Sequence, residues 1–68
     1  PPRMQYRIVV IPCAGNPVEV PGTWSAATAT EHARTAGYEP GTVVIVERDG
    51  VQYRLYVVDA NGIARVSP

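Results

Sequence analysis

Two tight-turn dipeptides, Asp49-Gly50 and Asn61-Gly62, constrain this chain more than any other feature. Each stands between runs rich in Val, Ile, Leu and Tyr. A two-residue hairpin loop needs left-handed backbone, which Asp, Asn and Gly adopt with least strain. Read as such a loop, Asp49-Gly50 sets Arg48 opposite Val51, Val46 opposite Tyr53 and Val44 opposite Leu55. The alternate pairs are Glu47 with Gln52, Ile45 with Arg54 and Val43 with Tyr56. Asn61-Gly62, read the same way, sets Val57 opposite Val66, Val58 opposite Arg65 and Ala60 opposite Ile63. Strand side chains alternate between faces, so the two turns predict one consistent pair of faces. One carries Val44, Val46, Val51, Tyr53, Leu55, Val57 and Val66. The other carries Val43, Ile45, Glu47, Gln52, Arg54, Tyr56, Val58, Ile63 and Arg65. A three-stranded meander is expected.

Upstream, Tyr6-Arg7-Ile8-Val9-Val10-Ile11 reads as a strand ended by Pro12, and its aliphatic run predicts a central strand covered on both sides. Val18-Glu19-Val20 reads as a short return strand. Pro17 and Pro21 flank it, and a proline withholds a ladder donor, so it belongs at a sheet edge. A single helix is predicted over 24–36, with Thr23 as N-cap and Gly37 as terminator. Ala26, Ala29, Ala33 and Ala36 form its sheet-facing stripe. Glu39-Pro40-Gly41-Thr42 reads as a type II turn, with proline presetting φ and glycine taking the positive φ that follows. The expected order is β-β-α-β-β-β, a two-layer α+β domain with one helix on a mostly antiparallel sheet.

The order is similar to that of β-grasp and other small ubiquitin-like folds, whose members include carriers, adaptors and enzyme subunits. That likeness rests on element order alone. The chain departs from the carriers' C-terminal Gly-Gly, reading Val66-Ser67-Pro68, which speaks against a conjugation role. Val18-Glu19-Val20-Pro21-Gly22 followed by an alanine-rich helix also resembles the opening of small antitoxin domains. The long C-terminal meander departs from that pattern.

Sixty-eight residues make one domain, 1–68, with a thin core, since a chain this short hides only about 60% of its unfolded surface. Pro1-Pro2-Arg3 precede Met4, which reads as a start, so those three residues are given no weight. Cys13 is the one cysteine and His32 the one histidine, so no internal disulfide can form and a zinc ligand set falls short. No metal or cofactor is expected. Six arginines balance six carboxylates, leaving no positive field of the kind that grips phosphates. No run approaches the roughly 20 apolar residues that cross a bilayer. The expectation is a cytoplasmic protein without membrane contact.

Cys13, after a strand and before Ala14-Gly15, could present a thiolate from a turn. A reactive thiolate needs a base or a helix N-terminus beside it, and His32 in the helix interior is the one candidate base. A half-buried structural thiol and a helix-flank histidine are the expected readings. The carboxylates Glu19, Glu31, Glu39, Glu47, Asp49 and Asp59 form no motif pair, and no glycine-rich loop leads from a strand into a helix. The chain is therefore read as non-enzymatic.

The second predicted face of the meander needs a purpose, because a sheet covered by one helix should be polar on its other side. Val43, Ile45, Arg54, Tyr56, Val58, Ile63 and Arg65 are the expected partner-binding residues, an apolar patch edged with arginine. The expected function is a protein-binding or self-associating module, a homo-oligomer or the partner of a larger protein. An accessory or host-factor-blocking protein of a phage or mobile element would fit that description. The alternatives are a nucleic-acid-binding sheet using Arg54, Arg65 and Tyr56, or an antitoxin-like regulator.

Overall fold

A computed structural model describes residues 5–67; the expectation for Pro1-Pro2-Arg3 lies outside them. The elements are β1 (Tyr6–Ile11), β2 (Val18–Glu19), α1 (Ala26–Thr35), β3 (Val43–Arg48), β4 (Val51–Val58) and β5 (Ala64–Val66). They form an α+β fold in which the five strands make one sheet, ordered β2-β1-β3-β4-β5, with every neighbour antiparallel. The C-terminal strands are the predicted meander. The core lies between the sheet and α1, where Tyr6, Ile8, Val10, Val44, Val46 and Tyr56 meet Ala29 and Ala33. Alanines let the helix sit close, so the strands provide most of the buried apolar surface.

The helix starts later than predicted. The Trp24 carbonyl accepts the Tyr6 N–H at 3.0 Å, so Trp24 is drawn into extended backbone beside β1 and cannot open a helix. Ser25 is the N-cap instead of Thr23. Its hydroxyl accepts the Thr28 N–H at 3.1 Å, while the Thr28 hydroxyl accepts the Ser25 N–H at 2.9 Å, a reciprocal capping box. Gly37 follows the helix with φ +75°, and the Glu39 carbonyl accepts the Thr42 N–H at 3.1 Å across the Pro40-Gly41 turn. Both features match the sequence reading.

Among the described residues the expected cover over both sides of β1 is not there. Ile8 is fully buried beneath the helix, Arg7 is exposed, and Val9 and Ile11 are only half-buried. One ten-residue helix can blanket one face of a five-stranded sheet, and it lies on the Ile8 side.

Both hairpins form, yet the register departs from the predicted one in two places. Asp49 and Gly50 take φ +53° and +77°, and Arg48 pairs with Val51 and Glu47 with Gln52, as two-residue turn geometry requires. The next pair is Val46 with Arg54, so Tyr53 is an additional residue and β4 carries a β-bulge. Every later pair is displaced by one: Ile45 with Leu55, Val44 with Tyr56 and Val43 with Val57. The second loop holds three residues. The Asp59 carbonyl accepts the Gly62 N–H at 2.9 Å, Gly62 has φ +80°, and Tyr56 pairs with Val66, Val57 with Arg65 and Val58 with Ala64.

A one-residue slip turns each affected side chain to the other face. Tyr56 and Val58, expected on the open side, are 2% and 3% exposed within the core. The physical reason lies in the helix: its alanines leave depth over β3 and β4, and a tyrosine fills that depth better than Leu55 would.

Candidate functional site

The helix-free face of the sheet is built from the registers just described. Val9 pairs with Ile45 and Ile45 with Leu55; Ile11 pairs with Val43 and Val43 with Val57. These pairings place six aliphatic side chains in two adjacent rows of three, across the three inner strands. Val57 is 39% exposed, and the other five are partly buried.

The next row along β1, β3 and β4 is polar, made of Arg7, Glu47 and Gln52. Arg7 reaches both sideways and diagonally. Its guanidinium donates to Glu47 Oε1 at 2.7 Å on β3 and to Glu19 Oε1 at 2.9 Å on β2. The hydrogen bond that Arg7 donates to Glu19, followed by the charges of Glu19 and Glu47, pushes the Arg7 pKa up. One cation thus ties three strands together on the open side. At the opposite lateral rim stands Arg65, paired with Asp59 at 2.7 Å.

Asp59 organises that rim. Its Oδ1 accepts the N–H groups of Asn61 at 2.9 Å and Ile63 at 3.0 Å, and its Oδ2 accepts Arg65 Nε. The bond from Arg65, then that from Ile63, holds its carboxyl below the usual aspartate value. A carboxylate holding two backbone donors also explains why the loop takes three residues instead of two.

Of the predicted binding residues, Val43, Ile45 and Arg65 share the open face. Arg54 pairs with Val46 and therefore lies on the helix side, joining Tyr53, its guanidinium 5.5 Å from that ring. Tyr56 and Val58 are in the core, and Ile63 sits in the β4–β5 loop, half-exposed. The residues missed are Val9, Ile11, Leu55 and Val57. The aliphatic character of Val9 and Ile11 is the available signal, and the sequence pattern reads it as coverage by a second layer. Leu55 and Val57 were hidden by the bulge.

The three residues named for nucleic acid do not converge: Tyr56 is buried, and Arg54 and Arg65 lie on opposite faces. A different aromatic and cationic group forms at the hairpin on the helix side. Tyr6 and Tyr53 meet edge-on at 5.2 Å, and the Arg48 guanidinium lies 5.7 Å from the Tyr6 ring, above a shallow depression lined by Arg48, Asp49, Val51, Gln52 and Tyr53.

Cys13 is exposed in the β1–β2 loop, close to Gly41, and is less buried than expected. His32 lies between Trp24, at 5.0 Å, and Tyr38, sharing a 2.7 Å hydrogen bond with the Tyr38 hydroxyl. Burial pushes the pKa of the Tyr38 phenol up from its ordinary value. The histidine completes an aromatic wall at the flank of the core. Among the described residues no three His, Cys, Asp or Glu side chains group as metal ligands. No helix there is long and apolar enough to cross a membrane.

Comparison with family models, with curated proteins and with solved structures finds no match for this chain.

Proposed function

We propose that this protein is a non-enzymatic protein-binding module that works through the helix-free face of its sheet. The observation that carries the reading is the double row of Val9, Ile45 and Leu55 beside Ile11, Val43 and Val57, left without a second layer among the described residues. An antiparallel sheet with one wet side ordinarily alternates apolar with polar residues. Here the wet side keeps contiguous aliphatics across three strands, and contiguous apolar surface is the mark of an interaction site. The polar rim around an apolar centre, Arg7, Glu19 and Glu47 at one side and Arg65 at another, is the usual anatomy of a protein interface.

The test compares the wild-type chain with Ile45→Glu, both checked for folding by circular dichroism. Proteins co-purifying from the native host are identified, then recombined as pure components with each version. A partner, self included, that binds wild type and not the variant supports the reading. Equal behaviour of the two versions toward every partner, or no association at all, would overturn it.

A further inference from the structure

The open face is one candidate surface; the sheet edges and the hairpin cluster are the others, and they have less to offer. β2 has two residues set between prolines, which leaves no run of ladder groups for another strand. At the other edge β5 covers only the end of β4, and the exposed remainder, Val51 to Arg54, carries the bulge. Bulges, short edges and proline are how sheets avoid edge-to-edge pairing. Strand addition is therefore blocked on both sides. At the hairpin, Tyr53 and Arg48 are already engaged with Tyr6.

We infer that the open face packs against the same face of a second copy, about a two-fold axis running along β3. The inference rests on the proposed protein-binding role and names its occupant. β3 is the middle of five strands. Rotation about it lays β1 over the partner's β4 and β4 over the partner's β1, while β3 meets itself. All six aliphatics then meet aliphatics: Val9 faces the partner's Leu55, Ile11 faces the partner's Val57, and Val43 and Ile45 face their own copies.

The same rotation lays β2 over the partner's β5. On this face β2 presents Glu19 and β5 presents Arg65. Among the described residues Glu19 and Glu47 share one cation, Arg7, which leaves one negative charge in excess there, while Arg65 gives Asp59 only its Nε, at 2.7 Å, and its 67% exposed side chain has room for a second carboxylate. Each dimer would hold two Glu19–Arg65 contacts, one at either side. Glu47 approaches its own copy near the axis, where Arg7, 2.7 Å away, screens it.

Size is consistent with a weak dimer. Strand spacing near 4.8 Å and a rise near 3.4 Å per residue, over the 25 strand residues, give a footprint of roughly 400 Å² per copy. Two copies would bury about 800 Å², the range of weak and transient contacts, so a dissociation constant no tighter than the high micromolar range is expected. Two twisted sheets pack with their strands crossing at about −30°, so the axis bisects the two copies of β3, about 15° from each, and the facing pairs stay the same near it.

Sedimentation velocity over a concentration series tests the dimer. Wild type should pass from monomer to dimer, and Val57→Glu or Ile45→Glu should weaken dimerisation at least tenfold while each monomer keeps its circular dichroism spectrum. Val57 is the more exposed site and the safer for folding. The axis is tested by charge reversal. Glu19→Arg and Arg65→Glu should each self-associate less than wild type, and mixing them should restore dimers, because both lateral contacts become attractive in the mixed pair. Mixing Glu31→Arg with Arg34→Glu, exposed on the helix, should show no change beyond the general charge effect.

A wild-type monomer at millimolar concentration overturns the inference, as does a dimer indifferent to Val57→Glu. A mixture no better than its components overturns the axis. A monomer that binds another protein through Ile45 would overturn the second copy and leave the protein-binding role standing.

Discussion

At the scale of single residues, the turn glycines carry separable burdens. Gly41 sits at φ +89°, and a Cβ placed there would come 3.1 Å from Cys13 Sγ. Gly37, at φ +75°, has open space around the same position. A left-handed backbone alone costs an L-residue about 1–2 kcal/mol, so Gly37→Ala should lose roughly that much. Gly41→Ala should lose more, because the thiol must also move. Urea denaturation of the two variants measures the difference, and adding Cys13→Ala should recover only the excess at Gly41. Equal losses at both glycines would show that the thiol contact is irrelevant. Asp59 supplies a second residue-scale prediction. Its folded pKa is depressed, so its contribution is present above the ordinary carboxylate range and lost as pH falls through the folded value. Asp59→Asn keeps an oxygen for the Asn61 and Ile63 amides but cannot titrate or pair ionically with Arg65. Its stability should be lower near neutrality, and should change less than that of wild type as pH falls below the ordinary carboxylate range. Parallel curves for the two proteins would refute the assignment.

At the scale of elements, what the sequence could and could not reveal separates cleanly. Strand and helix identities follow from local chemistry, and so does the Asp49-Gly50 turn, whose two positive φ values need those residue types. The helix start was misplaced because Trp24 is held by Tyr6, a contact from 18 positions away that no local pattern announces. The bulge at Tyr53 was harder still. In β4 the odd positions Val51, Tyr53, Leu55 and Val57 look more apolar than Gln52, Arg54, Tyr56 and Val58, so alternation alone aims the wrong set at the core. Beyond the bulge Leu55 and Val57 lie outward, whereas Val51 and Tyr53 stay on the helix side with Arg48 and Tyr6; local patterns tend to mislead where, as proposed here, a surface serves binding as well as folding. The bulge also makes an unusual prediction. Deleting Tyr53 should restore continuous pairing, with Val46 still opposite Arg54 and Tyr56 still beneath the helix. The deletion variant should fold, losing about 1 kcal/mol from the missing contact with Tyr6. Loss of cooperative unfolding would mean that the bulge itself is required. The Ser25 cap is more ordinary: Ser25→Ala should cost about 1 kcal/mol, measured by the same denaturation.

At the scale of the whole molecule, the core and the open face have to be considered together. The buried apolar set is small, with alanines as the helix's fully covered contributions, and no cross-link reinforces it. A domain this size is marginal on such a core. If the inferred dimer forms, surface covered on association adds to apparent stability by mass action, because only the folded chain can pair. Thermal unfolding should therefore depend on protein concentration. Over a roughly hundredfold range that brackets the dissociation constant, the wild-type midpoint should rise by several degrees, since each 1 kcal/mol is worth about 4–8 °C in a domain this small. Val57→Glu should unfold at the wild type's low-concentration midpoint whatever its concentration. A midpoint that stays fixed for wild type would mean that the sheet's open side contributes nothing to stability by self-association. The same midpoint rising equally in Val57→Glu would place the association elsewhere on the molecule.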